Sequence, residues 1–383
     1  MTVASAVGDR TFSEIERLCR TELTPEEFSP MVAEKLSRAV PFDGYAVVTL
    51  DPLSGLATNF HFSEEMGSAE DARFFLENIY FEDEVLDYGW MARNRIAAMT
   101  LSEATGGELE RALRYREYNG PKGFGPGVRA VLTVHGRPWG GLCLVRGKDV
   151  EDFSEREVEF LRRISPHLGA GLRAATLRFG ARGETANGDV GIAFDSPASQ
   201  AVGVLNLDHD GRVTRYTAAA DHLLRELGAP ENGRRDEHGL PMAVWAVVGA
   251  LRRTLGAKPD RGPSDIPCLR VRTQSGGWLT LQASLTEPAD GGPAETVVVI
   301  APAGPAEMVQ LHTTAYGLSA REREVVDLIV RGLSTRQISR SLYISESTVQ
   351  GHLSHVFEKV GVKSRRELLK RLFLDNLSSQ IPA

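Results

Sequence analysis

The 383-residue chain has only three cysteines, Cys19, Cys143 and Cys268, far apart and with no CxxC pair. Such spacing supplies neither a disulfide framework nor a zinc knuckle, and Cys143, in the apolar run GGLCLV, reads as a small buried side chain. No stretch approaches the roughly 20 apolar residues of a membrane span. The N-terminal MTVASAVGDRTFSEIERLCR has no basic region followed by an apolar core, so a cytoplasmic protein without membrane contact is expected. Catalytic patterns are missing too. GxGxG occurs at Gly123 to Gly127, but Pro126 interrupts it and a strand pattern follows, which makes it a turn and not a phosphate cradle. The paired acids of a phosphorelay receiver are absent. No enzyme activity, metal or cofactor is expected.

What is present is the composition of a folded chain, 42% hydrophobic and 25% charged, at a length that implies several domains. The net charge of −7 is unevenly spread. Residues 316–377 hold 11 Lys/Arg against 7 Asp/Glu, a net of +4, and leave the remainder at −11. A basic end on an acidic body suits a protein that meets phosphate at one end only.

That basic end is punctuated into four short helices. Ser319 with Glu322 has capping-box spacing, and Val325, Val326, Leu328 and Ile329 follow as an apolar stripe that stops at Gly332. Ser334 caps a second helix carrying Ile338 and Leu342, Tyr343 and Ile344 make a tight turn, and Ser345 caps a third. On this third helix Val349, Leu353, Val356, Phe357 and Val360 share one side. Ser347, Gln350, Gly351, Ser354 and His355 share the other. A small, polar, uncharged outer face suits a helix that sits in a groove. Ser364 and Glu367 open a fourth helix whose Leu368, Leu369, Leu372 and Phe373 exceed what one small core needs, so a dimer contact is expected there.

This stretch resembles the LuxR-type (NarL/FixJ-type) helix-turn-helix domain. The matching residues are Leu318, Arg321, Glu322, Glu324 and Val325, then Gly332, Ser334 and Ile338, then Ile344, Ser345, Thr348, Val349, His352, Lys359, Gly361, Val362 and Arg365. The resemblance makes the third helix the recognition helix, with Gln350, Gly351, Ser354 and His355 toward base edges, and with Gln350 placed to pair with adenine. Phosphate contacts are expected from Thr335, Arg336, Ser347, Thr348, Lys359, Lys363 and Arg365. Many relatives carry lysines on the outer face, so readout by DNA shape takes a larger share here. His352 and His355 have a spacing compatible with a metal, but the resemblance makes His352 structural.

Upstream, Thr24, Pro25 and Glu27 start a helix running to about Val40. A strand is expected at Tyr45 to Leu50, a hairpin at Val128 to His135 and Gly140 to Arg146 turning on Gly136-Arg137-Pro138, and a long exit helix from Ser154 and Glu157 kinked at Pro166. The exit helix either covers its own sheet or also pairs with a counterpart. This order resembles an α+β GAF domain, which would build a ligand pocket in the variable middle around His61, Tyr80 and Trp90.

Residues 179–190 read as a linker. Beyond them come strand, Asp-Gly turn, strand and amphipathic helix, then a helix from Pro241 to Leu255, two strands around Gly276-Gly277 and a last strand at Thr296 to Ala301. This resembles an α+β PAS domain, expected to dimerise and relay rather than bind a ligand; His238 leaves haem as a minor alternative.

The expected multidomain architecture is therefore a GAF-like domain over 1–178, a linker, a PAS-like domain over 191–305 and an all-α LuxR-type domain over 314–377. Its implied function is signal-responsive transcription regulation in a bacterium. The implied partners are double-stranded promoter DNA at an inverted repeat, a second copy of the chain, a small-molecule effector, and RNA polymerase if the protein activates. The competing reading is a ligand-binding or protein-docking sensor whose terminal helices no longer bind DNA.

Overall fold

In the computed structural model, which describes residues 3–67, 71, 74–75, 85–178, 201–228, 240–256, 266–287 and 292–374, Thr24 caps a helix as its neighbours dictate. Its hydroxyl accepts from the Glu27 amide while the Glu27 carboxylate accepts from the Thr24 amide. Pro25 takes the first turn, where a missing N–H costs nothing. This helix, α2 (Pro25–Leu36), follows α1 (Val3–Leu18) and buries Phe28, Val32 and Leu36. The chain forms two compact units, with described residues 3–302 in the larger and 303–374 in the smaller. Among the described residues no helix is long and apolar enough to cross a membrane.

The larger unit holds two antiparallel sheets. In the first, β1 (Gly44–Leu50), β2 (Ala57–Phe62), β3 (Ala98–Thr100), β4 (Phe124–Val134) and β5 (Arg137–Gly147) lie in the order β2-β1-β5-β4-β3. Short helices α3 (Tyr88–Arg93) and α4 (Leu101–Thr105) flank β3, and α5 (Glu155–Arg178) follows β5. Alternation along β5 serves two cores. Leu142 and Leu144 join Leu161, Ile164, Leu168 and Leu172 of α5, whereas Cys143 and Val145 join Met66, Tyr118 and Phe124 on the opposite face. The described part of α5 thus covers its own sheet.

Glycine is required at Gly140 and Gly141. A Cβ on Gly140 would lie 2.3 Å from a Leu172 methyl, and one on Gly141 would lie 2.3 Å from the Tyr88 ring. The hairpin between β4 and β5 turns on His135 and Gly136, both with positive φ (51° and 73°), so Arg137 and Pro138 belong to the strand and not to the turn. Gly123 takes the expected turn at φ 83°, and β4 starts directly after it.

The second sheet repeats the order of the first. Its strands β6 (Gly203–Leu207), β7 (Val213–Tyr216), β8 (Cys268–Arg272), β9 (Trp278–Thr286) and β10 (Glu295–Pro302) run β7-β6-β10-β9-β8. Between them come α6 (Ala218–Glu226) and α7 (Met242–Gly256). Residues 243 to 248 of α7 are all buried, because the helix packs against β2 of the first sheet as well as β9 of the second. The sheets are also joined by Asp51, whose fully buried carboxylate accepts from the Arg270 amide (3.1 Å) and guanidinium (3.2 Å). The proposed linker and His238 lie outside the described residues.

The smaller unit contains α8 (Pro305–Ala315), α9 (Ala320–Val330), α10 (Thr335–Leu342), α11 (Glu346–Val360) and α12 (Arg365–Leu369), the last continued by a wide turn to Leu374. One core unites them through Val325, Val326, Ile329, Ile338, Val349, Leu353, Val356, Val360, Leu368 and Leu372. Val309 of α8 joins the same core, so this helix, ahead of the expected start at 314, is part of the unit.

Candidate nucleic-acid interface

Each helix from α9 to α12 begins with a serine whose side chain satisfies an otherwise unpaired backbone amide. Ser319 and Glu322 form the expected capping box on α9. Ser334 forms one with Gln337 on α10, a partner whose Glu/Gln spacing is legible in the sequence. Ser345 Oγ accepts from the Thr348 amide (3.1 Å) and shares hydrogen bonds with the hydroxyls of Ser347 (2.7 Å) and Thr348 (2.8 Å). The entrance to α11 is therefore ringed by hydroxyls at the positive end of the helix dipole.

The turn between α10 and α11 is fixed by two observations. Tyr343 adopts the left-handed conformation (φ 55°, ψ 43°) with its side chain 96% exposed, and Ser339 Oγ donates to the Ile344 carbonyl at 2.5 Å. The turn sets α11 so that Val349, Leu353, Val356 and Val360 face the core. Ser347, Thr348, Gln350, Gly351, Ser354 and His355 are exposed on the other side. Between Ser347 and Phe357 the helix carries no Lys, Arg, Asp or Glu. A Cβ built on Gly351 meets nothing within 4 Å. Gln350 Nε2 lies 3.4 Å from the Thr335 hydroxyl, which brings the N-terminus of α10 beside this face.

The cations separate into two groups. Lys359 Nζ is 2.7 Å from Glu322 Oε2 and 3.4 Å from the Gly317 carbonyl, and Arg365 donates to the Leu333 carbonyl at 2.7 Å. Both side chains tie one part of the unit to another. Burial acts to raise the Glu322 carboxyl, but hydrogen bonds from Lys359 and Ser319 prevail and hold it below the usual carboxylate range. Partial burial lowers the Arg365 guanidinium. Arg336 and Lys363, by contrast, are exposed and carry no ion pair among the described residues. Arg340 and Arg366 share that state and were not expected; Arg340 stands four residues after Arg336, hence on the same face of α10.

The apolar residues expected at a dimer contact are placed otherwise in part. Leu368 and Leu372 are fully buried in the unit's own core, Leu369 is half-buried against it, and the Phe373 side chain lies outside the described residues. The excess of apolar area inferred for a lone fourth helix is taken up by α9, α11 and α8.

In the larger unit, His61 is half-buried on β2 and burial lowers its imidazole pKa, an effect that nearby Glu26 opposes. Trp90 on α3 is 40% exposed, and Tyr80 lies outside the described residues. Neither His61 nor Trp90 borders the two cavities described in this unit. The smaller of these is lined by Tyr88, Arg114, Tyr118, Arg129 and Cys143 among others. Burial raises the Cys19 thiol to about 12, with Glu16 adding to the effect, so it is a poor nucleophile.

Comparison with known proteins bears on the smaller unit. Residues 317–372 match the family described as bacterial regulatory proteins, luxR family. The spore germination protein GerE of Bacillus subtilis is 44% identical over 55 residues, which are 14% of this chain and 74% of GerE. The probable HTH-type transcriptional regulator GfsR of Streptomyces halstedii is 43% identical over 54 residues, 14% of this chain and only 22% of GfsR. Across the whole length, the crystal structure of Escherichia coli SdiA aligns with 98% of this chain and 99% of its own at 12% identity and a TM-score of 0.33.

Proposed function

The chain belongs, through residues 317–372, to the luxR family of bacterial regulatory proteins, and from that premise we propose that it is a sequence-specific transcription regulator that reads promoter DNA with α11 and answers to a signal through its larger unit. The family is one of DNA-binding regulators and not of enzymes. The observation that carries the reading is the outer face of α11, exposed, small and without a formal charge from Ser347 to Phe357, on a helix whose other face is fully committed to the core. A solvated helix would normally carry Lys and Glu there; a helix in the major groove needs close approach and hydrogen-bonding side chains.

In this reading Gln350, Gly351, Ser354 and His355 meet base edges. Thr335, Arg336, Ser347, Thr348 and Lys363 meet phosphate, joined by Arg340 and Arg366. Lys359 and Arg365 serve the fold first. One unit of this size contacts few bases, so two copies acting on an inverted repeat multiply the affinity, and Leu369 is the described member of the expected pairing set that is not fully buried. The two five-stranded antiparallel sheets with their helices support reading the larger unit as GAF-like and PAS-like sensory modules, and the shared strand order favours two related modules over one irregular domain. RNA polymerase is the further partner if the protein activates.

The test is to incubate the full chain with fragmented genomic DNA from its source at moderate salt and sequence what is retained. Enrichment of a short inverted repeat supports the reading. No enrichment, repeated with cell extract added to supply an effector, favours a docking sensor whose terminal helices no longer bind DNA.

A further inference from the structure

Glu346 opens α11 and carries the formal charge that immediately precedes the uncharged run from Ser347 to Phe357. A helix returns to nearly the same direction every four residues, so Glu346, Gln350 and Ser354 form one line along the exposed face. Two hydrogen bonds follow that line. Ser354 Oγ donates to the Gln350 carbonyl at 3.0 Å, and Gln350 Nε2 donates to the Thr335 hydroxyl at 3.4 Å.

The fold does not use this acid. On α8, α9 and α12 the first-turn glutamate is the third residue of the helix, from where it reaches back to the cap. Glu307 accepts from the Gly304 amide (2.7 Å), Glu322 from the Ser319 amide (2.7 Å) and Glu367 from the Lys363 amide (2.8 Å). On α11 that third residue is Thr348, and the acid stands first. Glu346 is exposed and makes no hydrogen bond or ion pair among the described residues, although Arg336 and Arg340 are exposed on the adjoining α10. A carboxylate on a face that meets DNA is repelled by the phosphates unless a base-edge donor receives it. In the major groove those donors are the amino groups of cytosine and adenine. Adenine sets its donor beside the N7 acceptor, which suits the amide of Gln350 and repels a carboxylate. Cytosine presents the donor alone.

We propose that Glu346 is a specificity-determining residue that reads cytosine, its carboxylate accepting from the N4 amino group at a base pair close to the one met by Gln350. The inference rests on the DNA-binding reading above and adds to it a residue that the sequence expectation left out. Four residues of helix advance about 6 Å, close to two base steps of about 3.4 Å. The cytosine therefore lies within about two base pairs of the Gln350 position. The same charge weakens binding wherever the donor is missing, so Glu346 sharpens preference by rejecting wrong sites as well as by holding the right one.

The test titrates the full chain and its Glu346→Ala and Glu346→Gln variants against the retained repeat, every single-base-pair change within one half-site, and a scrambled duplex of equal composition. Gln350→Ala, run in parallel, marks the neighbouring position. In the parent, replacing the cytosine should weaken binding at least about fivefold. Glu346→Ala should level the four bases at that position, leave the preference at the Gln350 position intact, and tighten binding to the scrambled duplex severalfold. Glu346→Gln should move the preference there from cytosine to adenine. Thermal melts should show both variants folded, since the side chain bonds to nothing in the fold. Variants that keep the parent's base preferences and bind all duplexes more tightly by one common factor would overturn the proposal and leave Glu346 a solvated acid. A parent that does not distinguish the repeat from the scrambled duplex would overturn the DNA-binding reading itself, a failure distinct from that of Glu346.

Discussion

Lys359, on the last turn of α11, places its Nζ 2.7 Å from Oε2 of Glu322 at the start of α9, 37 residues away in sequence. The same carboxylate caps α9 through the Ser319 amide at 2.7 Å. One buried acid thus joins α11 to α9, and a cation that looks available for phosphate is held inside the fold. Glu322→Gln keeps the cap geometry but removes the charge, and should lower the unit's stability by about 2 kcal/mol, measured by urea denaturation. The pH dependence has a definite sign. Folding lowers the Glu322 pKa, so the stabilisation is complete above the ordinary value of 4.5 and is lost as pH falls through the lowered one. In the Gln variant that acid-dependent loss should be smaller.

Gly351 separates stability from binding. It sits in the middle of an exposed helix with open space around it, so Gly351→Ala should stabilise the unit by roughly 1 kcal/mol through helix propensity. Gly351→Glu should fold equally well, yet put a negative charge on the face that the proposed function assigns to base edges and phosphates. Thermal melts should show both variants folded, while DNA affinity should fall at least about tenfold for the glutamate. A glutamate variant that binds as tightly as the parent would remove α11 from the interface.

Asp51 joins the two sheets of the larger unit by accepting from Leu53, Ser54 and twice from Arg270. Removing it leaves the buried Arg270 uncompensated. Asp51→Ala should therefore destabilise the larger unit by ~3–5 kcal/mol, seen as earlier unfolding and faster proteolysis, with the terminal unit's own melting unchanged.

Gln350 and Lys363 should differ in kind. Gln350→Ala removes a side chain from the exposed face of α11 that the proposed function sets in the groove, and should relax preference at one base position. Lys363→Ala removes an exposed, unpaired cation and should weaken binding to all sequences while flattening the salt dependence by about one unit of slope. Binding to a panel of single-base variants, measured at two salt concentrations, distinguishes them; equal losses across the panel for both variants would contradict the groove assignment.

The terminal helices were legible in the sequence because each is bounded locally. Ser319, Ser334, Ser345 and Ser364 cap within three residues, and Gly332 and Gly361 end helices at positive φ. What required the structure was long-range. The pairing of Lys359 with Glu322 and of Arg365 with the Leu333 carbonyl spans more than 30 residues, and no local spacing marks a cation as taken. Leu368 and Leu372 looked surplus only while Val309 of α8 was outside the expected domain. In the larger unit β2, reading ATNFHF, has the polar mixture of a half-exposed edge strand, and β3 is three residues long, too short for periodicity to speak. The Asp51–Arg270 bridge spans 219 residues, so the fusion of the two sheets had no trace in local pattern.

The most direct measurement is the equilibrium affinity of the full chain for a duplex carrying the retained repeat, against a scrambled duplex of equal composition, across roughly 50 to 200 mM salt. The account predicts at least ~10³-fold tighter binding to the repeat and an affinity that falls linearly with salt on logarithmic axes. Equal affinity for both duplexes, or none for either with effector-bearing extract present, would contradict it.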